Sequence, residues 1–170
     1  EIRVWNKNEI KADVLMKATS DNEKDAIALL NGVELEEKQS SEMISIKTLL
    51  EIPKGKFGTS IRNGKIMWKR EVNISYVIYM PASLALSVNA QYGNVQLDDF
   101  NGPTNLKVQY GNVTAGNLNS SNNQVSVQYG STTINNLNKG TISQQYGKGV
   151  TIANSNDLNL NVQYAAANIV

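Results

Sequence analysis

Apolar and polar residues alternate in short runs through the second half of the chain, and each run ends in the same way. Alternation places every second side chain on one face, which is the pattern of a β-strand. A Gln-Tyr pair closes each run, and the tyrosines recur every 17 to 19 residues, at Tyr92, Tyr110, Tyr129, Tyr146 and Tyr164. A glycine follows four of them, and an alanine follows the fifth. This half of the chain is therefore an array of structural repeats.

The apolar positions slip by one residue after each tyrosine. Leu106 and Val108 have the parity of Tyr110. The next inward positions, Val113 and Ala115, have the opposite parity. A slip of one residue next to a glycine predicts a corner or bulge at which the chain turns and keeps its apolar side inward. A third inward position follows in three of the copies, at Phe100, Leu118 and Leu137.

One copy is thus two short strands, a shorter third side and polar corners. About 18 residues are too few for a strand, a helix and their connections, and they fall below the 20 to 29 residues of leucine-rich repeats. We therefore predict an all-β fold, a parallel β-helix (β-solenoid) with coils of about 18 residues. Its hand is expected to be right, because parallel β connections are overwhelmingly right-handed.

The first half of the chain has a different composition. It holds most of the charged residues, whereas residues 88–170 carry three acids and three lysines. We expect a single domain, residues 1–170, whose first part (1–87) contains irregular strands and one short helix near residues 21–31. Regular coils fill the second part, residues 88–170. The strands expected in the first part are Ile2–Trp5, Ile10–Met16, Val33–Leu35, Met43–Leu50 and Val72–Met80.

Composition removes most catalytic chemistry. The chain has no histidine and no cysteine, which rules out disulfides, a Ser-His-Asp triad and a His- or Cys-ligated zinc site. A formal net charge of +1 lacks the basic surface that nucleic acid requires, so no nucleic-acid partner is expected. No apolar run is long enough for a membrane-spanning helix. We expect neither a cofactor nor a metal.

The tyrosine column allows two interpretations. Outward-facing rings at one coil spacing would form a stacking platform for sugars. The tyrosines share the parity of Val88, Ala90, Leu106 and Val108, however, so parity favours the interior. The expected role is therefore packing.

The glutamine column has the opposite parity and is expected to face solvent. Its members are Gln91, Gln109, Gln128, Gln145 and Gln163. Stacked amides can hydrogen-bond one another along the axis, or they can present a polar strip to a glycan. We favour a ladder, and we name the column as the candidate ligand-facing strip.

Many parallel β-helices cleave polysaccharides, which requires paired carboxylates or a metal cluster on one face. The repeat half offers only Asp98, Asp99 and Asp157 as acids. Asp98 and Asp99 are neighbours, and neighbours in a strand point to opposite faces. We expect no enzyme activity and name no catalytic, cofactor-binding or metal-binding residue.

The stretch ISYVIYMPASLALSVNAQYGNVQLDDFNGPTNLKVQYGNVTAGNL, residues 74–118, resembles the bacterial adhesin-like β-strand-repeat family of domains of unknown function. It shares a strand ending in proline, followed by alternating strands with Gly-containing corners. The resemblance implies a right-handed β-helix and export from the cytoplasm. It implies no catalytic residue. The chain opens at Glu1 and stops within a strand-like run, so we expect a longer native protein.

We therefore expect a non-catalytic bacterial β-solenoid in the periplasm or at the cell surface. It would act as an adhesin-like or envelope structural or binding module, with a surface glycan or an envelope protein as partner. One alternative is a carbohydrate-binding module that uses the outward face of the repeat strands. A second is a partner-binding domain of an envelope-sensing system.

Overall fold

The computed structural model describes residues 1–40, 43–51 and 53–170 of the chain. They form two compact units, residues 1–13 with 76–170 (the solenoid unit) and residues 14–75 (the intervening unit). The expectation of a single domain stays a prediction. The described residues contain one helix, α1 (Glu23–Asn31), and these strands: β1 (Ile2–Val4), β2 (Lys11–Thr19), β3 (Val33–Gln39), β4 (Ile44–Leu50), β5 (Gly58–Arg62), β6 (Lys65–Met80), β7 (Leu86–Gln91), β8 (Val95–Leu97), β9 (Thr104–Gln109), β10 (Val113–Leu118), β11 (Asn123–Gln163) and β12 (Ala167–Ile169).

Parallel coils stack on one another in the solenoid unit. On one side β7 pairs with β9, and β9 pairs with the start of β11. On a second side β8 pairs with β10, and β10 pairs with a later stretch of β11. The result is a β-solenoid of about 4 turns with coils of about 19 residues, which confirms the predicted fold class. The right-handed sense stays a prediction.

The core of the solenoid unit consists of columns of equivalent residues from successive coils. Leu106 pairs in register with Val125, and Val108 pairs with Val127; all four are buried. The third inward position is also confirmed, with Phe100, Leu118 and Leu137 fully buried or nearly so. Apolar burial of this kind is the main stabilising contribution to a stack in which each coil contacts only its neighbours.

Polar side chains inside the solenoid are hydrogen-bonded. The hydroxyl of Thr104 donates to the Asn123 side chain at 2.9 Å, and the Asn123 amide donates to two backbone carbonyls. Gln144 occupies an inward position in the fourth copy and accepts from Thr132 at 2.9 Å. Buried polar groups are tolerated when they are paired in this way.

The N-terminal residues form part of the solenoid. Ile2 of β1 pairs in parallel with Ile78 of β6 and with Leu97 of β8. The N-terminal ammonium group donates to the carbonyl of Tyr76 at 2.8 Å. The regular stack therefore begins earlier than residue 88, where the repeat motif places its start.

The intervening unit contains the helix and two antiparallel strand pairs, β3 with β4 and β5 with β6. The helix begins after Asn22, whose side chain accepts from the backbone of Lys24, and Gly32 caps its end. Arg70 donates to both carboxylate oxygens of Asp25 in α1, at 2.8 and 2.9 Å. These hydrogen bonds are the main reason that the pKa of Asp25 lies below its ordinary value.

Candidate functional site

Five tyrosines form a continuous exposed stack along the solenoid unit, which we call the tyrosine ladder: Tyr92, Tyr110, Tyr129, Tyr146 and Tyr164. Successive ring centroids are 4.8 to 5.2 Å apart, and successive ring planes differ by only 3 to 9°. The exposed fraction is 36% at its lowest and 80% at its highest. The prediction that these side chains lie in the interior is therefore wrong.

The backbone at the tyrosines explains the error. All five have positive φ, between 51° and 59°, which is the left-handed region. Alternation of side chains holds only while each residue keeps an extended backbone. A left-handed residue reverses the direction in which its side chain points, so each tyrosine faces outward although its parity matches that of Leu106 and Val108. The apolar phase slip thus takes place at the tyrosine and not at the following glycine.

The repeated conformation carries a cost, since the left-handed region disfavours residues with a Cβ by roughly 1–2 kcal/mol each. A parallel-displaced aromatic pair contributes about 0.5–1.5 kcal/mol beyond its burial. Each interior ring has two such neighbours. The four contacts among the five rings therefore offset part of the backbone cost, and they hold every ring in one orientation.

The stack determines which ring atoms a ligand can reach. The faces of Tyr110, Tyr129 and Tyr146 are covered by their neighbours, so these three rings offer edges and hydroxyl groups. Only Tyr92 and Tyr164, at the two ends, have one face without a tyrosine neighbour, and they are 73% and 80% exposed. A flat group inserted between two rings would need a centroid spacing of roughly 7 Å, twice a contact distance of about 3.5 Å. The observed spacing of about 5 Å excludes such insertion.

Beside the tyrosine ladder runs a ladder of amides, which we call the glutamine ladder: Gln91, Gln109, Gln128, Gln145 and Gln163. The Nε2 of each of the first four donates to the Oε1 of the next glutamine in the ladder, at 3.2, 2.8, 2.9 and 3.0 Å. The predicted amide ladder is confirmed. An amide group has two N–H donors and two acceptor positions, so each interior glutamine keeps one of each for another partner. That the ladder faces a ligand stays a prediction.

The asparagines after the corner glycines stabilise the corners, as expected from their residue type. The side-chain oxygen of Asn94 accepts from both the backbone and the side chain of Asn112, at 2.9 and 3.0 Å. Ser131 occupies the next copy and donates to the Asn112 oxygen at 2.7 Å. Asn94, Asn112 and Ser131 thus form a third ladder of hydrogen-bonded side chains along the solenoid unit.

All three carboxylates of the repeat half hold structural partners. Asp98 accepts from the backbone of Val4, and Asp99 accepts from both the backbone and the side chain of Asn117, at 2.7 and 2.9 Å. Asp157 pairs with Lys139 at 2.8 Å, and this hydrogen bond raises the pKa of the lysine above its ordinary value.

The strands that carry the two ladders bear few charges. These strand segments are residues 86–91, 104–109, 123–128, 140–145 and 158–163, and Lys107 is the charged residue within them. Lys148 follows in the corner after Tyr146, and both lysines are exposed. Lys139 and Asp157, which directly precede two of the segments, pair with each other. Within residues 1–40, 43–51 and 53–170, no three acidic, histidine or cysteine side chains lie together in a way that could hold a metal ion. The same part of the chain contains no helix that is long and apolar enough to cross a membrane.

Replacing Tyr110 with alanine is expected to lower the free energy of unfolding by about 2 kcal/mol, since it removes two stacking contacts of about 1 kcal/mol each. Alanine has the same left-handed backbone cost as tyrosine, so the change isolates the ring. A buried ring would cost about 3 kcal/mol or more through the cavity left behind. Urea unfolding measures the difference. Tyr164→Ala, which removes a single stacking contact, should cost about 1 kcal/mol, and a loss of about 4 kcal/mol or more for Tyr110→Ala would contradict the exposed ladder.

No protein-family model, curated protein or solved structure matches this chain significantly.

Proposed function

We propose that the chain is a non-catalytic, extracytoplasmic binding module that contacts a component of the cell surface or envelope through the tyrosine ladder. The exposed ladder is the observation that carries the proposal. Stacking holds its rings in one orientation, and the glutamine ladder beside it is hydrogen-bonded along its whole length. A surface that is ordered before binding loses little conformational entropy when a partner arrives. Such a surface is suited to recognition.

The state of the carboxylates supports a non-catalytic role. Polysaccharide-cleaving β-helices need two acids that can act together on one face. Asp98, Asp99 and Asp157 are each engaged in hydrogen bonds or an ion pair that stabilise the coils. The absence of histidine and cysteine from the sequence leaves few other groups for acid–base or nucleophilic chemistry.

Membership of the adhesin-like β-strand-repeat family, and with it a periplasmic or cell-surface location in a bacterium, belongs to the same proposal. The pattern of residues 74–118 and the stacked parallel coils support it. Fractionation of the source cells, with the protein followed by antibody, tests the location. Recovery in the cytoplasmic fraction alone would contradict it.

Carbohydrate binding is the weaker candidate. The open faces of Tyr92 and Tyr164 favour it, because the C–H groups of a sugar pack against the electron-rich face of an aromatic ring. The three interior rings present electropositive edges instead. A glycan could therefore stack only at the two ends of the tyrosine ladder.

Retention on envelope fractions of the source cells tests the proposed surface. The ladder variant is Tyr110→Asn with Tyr129→Asn, since asparagine tolerates the left-handed backbone and should preserve the coils. The matched control is Thr114→Asn with Thr133→Asn, an exposed pair in register on another side of the same coils. Wild-type protein and the control should be retained, whereas the ladder variant should be released. Equal retention of all three proteins would rule out the tyrosine ladder as the binding surface.

A glycan array with the same three proteins and with Tyr92→Asn/Tyr164→Asn, which removes the two open ring faces, separates the two candidates. Array binding that either tyrosine variant loses and the threonine control keeps would make carbohydrate recognition the function. Envelope retention without any glycan signal would favour a protein or another non-carbohydrate component.

A further inference from the structure

We propose that the tyrosine ladder binds elongated, planar, conjugated aromatic molecules that lie along its length and are neutral or anionic. This inference rests on the proposed function, because it assigns a ligand class to the surface named there. It follows from three properties of the ladder, namely the ring edges it exposes, its length and the charges beside it.

The exposed edges select the type of contact. An aromatic ring is electronegative on its faces and electropositive at its edge, so an edge attracts the face of another π system. Tyr110, Tyr129 and Tyr146 have covered faces and free edges, spaced about 5 Å apart along one line. A flat conjugated ligand laid across these edges would make an edge-to-face contact with each ring. The C–H groups of a sugar would meet the electropositive edges unfavourably.

The length of the ladder selects the shape of the ligand. Insertion between rings is excluded by their spacing, so contacts accumulate only along the axis. A single aromatic ring can reach one or two tyrosines. A rod-shaped molecule with several conjugated rings in line can reach three or more. Affinity should therefore increase with the length of the conjugated system.

The charged and polar groups beside the tyrosine ladder determine which charge the ligand should carry. Lys107 lies two residues before Gln109 on the same exposed strand face, and Lys148 lies two residues after Tyr146. None of the five strand segments defined above contains an acidic residue, and Asp157, which directly precedes the last of them, is paired with Lys139. The spare amide donors of the glutamine ladder also favour acceptor groups on a ligand. Anionic or neutral molecules should therefore bind better than cationic ones.

Titration with Congo red, a long planar anionic dye, tests this inference on the monodisperse protein. Thioflavin T, a planar cationic dye, and cellohexaose, a sugar chain of comparable length, serve as comparison ligands. We expect saturable binding of one Congo red per chain, weaker binding of thioflavin T and no ladder-dependent binding of cellohexaose. Raising the ionic strength should weaken Congo red binding, because Lys107 and Lys148 are exposed.

The variants locate the bound dye. Tyr110→Asn with Tyr129→Asn should weaken Congo red binding about tenfold or more through the loss of two edge contacts, whereas Thr114→Asn with Thr133→Asn should leave it unchanged. A single change at Tyr129 should weaken binding more than one at Tyr164. A larger effect at Tyr164 would mean that the dye stacks on the open end face, which would overturn the proposed mode.

The outcomes for ligand class and for function are distinguishable. Ladder-dependent envelope retention without Congo red binding would overturn the ligand class and keep the proposed function. Ladder-dependent dye binding without envelope retention would keep the ligand class and overturn the proposed function. Equal dye binding by the ladder variant and the wild-type protein would overturn the assignment of the site.

Discussion

Replacing Gly130 with alanine is expected to destabilise the solenoid unit by about 3 kcal/mol, the upper end of the usual cost of overpacking. The backbone of Gly130 has an ordinary negative φ, so conformation is not the difficulty. The added Cβ would overlap the backbone carbonyl oxygen of Gly111 in the coil below, and it would also crowd Val127. A backbone oxygen held in a parallel ladder can move only if the two coils separate, so the clash has no inexpensive relief.

Gly93→Ala provides the matched control, because Gly93 belongs to the same Gln-Tyr-Gly motif. A Cβ at Gly93 would meet no heavy atom within 4 Å. Its replacement should change the free energy of unfolding by no more than about 0.5 kcal/mol. Urea unfolding followed by Trp5 fluorescence in a Trp68→Phe background reports on the solenoid unit, since Trp5 belongs to it and Trp68 does not. If Gly130→Ala and Gly93→Ala lowered the free energy of unfolding equally, the close approach of neighbouring coils would not explain why glycine occupies position 130.

Strand periodicity predicted the interior of the solenoid because it depends only on neighbouring residues. Leu106, Val108 and Leu118 lie inside, as their alternation indicated. The amide ladder was also predictable, since equal spacing of the glutamines in parallel coils places each amide beside the next. Both inferences needed only the period of a strand and the length of a coil.

The direction of the tyrosines was not predictable from residue type. Val108 and Val113 both lie inside, although they are an odd number of residues apart. In a continuous extended strand two such residues would face opposite sides, so one residue between them must leave the extended conformation. Gly111 and Asn112 are the residues that ordinarily accept the left-handed region, so parity arguments placed the turn after the tyrosine. The structure places it at Tyr110 itself, with φ of 56°. Stacking between coils stabilises this choice, and it has no counterpart within a single repeat.

The place of the N-terminal strand in the solenoid was also not predictable, because it depends on pairing between segments far apart in the sequence. Ile2 pairs with Ile78, and no local pattern relates two segments so far apart in sequence. The repeat motif begins only with the first Gln-Tyr pair. Both segments were predicted as strands, but periodicity alone does not show that strands without the motif join the stack.

Leu118→Ala is expected to lower the free energy of unfolding of the solenoid unit by about 4 kcal/mol, in the upper part of the range for buried leucines. Leu118 is fully buried, and it pairs with Phe100 in the coil below and with Leu137 in the coil above. The cost of such a change depends on how far the surroundings can collapse into the cavity. Backbone hydrogen bonds hold the three coils at fixed spacing, so little collapse is possible. One cavity also weakens two interfaces, because each coil is stabilised by both of its neighbours.

Leu84→Ala removes the same atoms from a half-exposed side chain of the solenoid unit, and its expected cost is about 1 kcal/mol. The two variants are compared by urea unfolding with Trp5 fluorescence, in the same Trp68→Phe background. If Leu118→Ala lowers the urea midpoint and leaves the slope of the free energy of unfolding against urea concentration unchanged, the effect lies in the native core. Losses of similar size in both variants would instead mean that the coils close around the cavity. The stack would then be more deformable than its continuous ladders of hydrogen bonds and tyrosine rings imply.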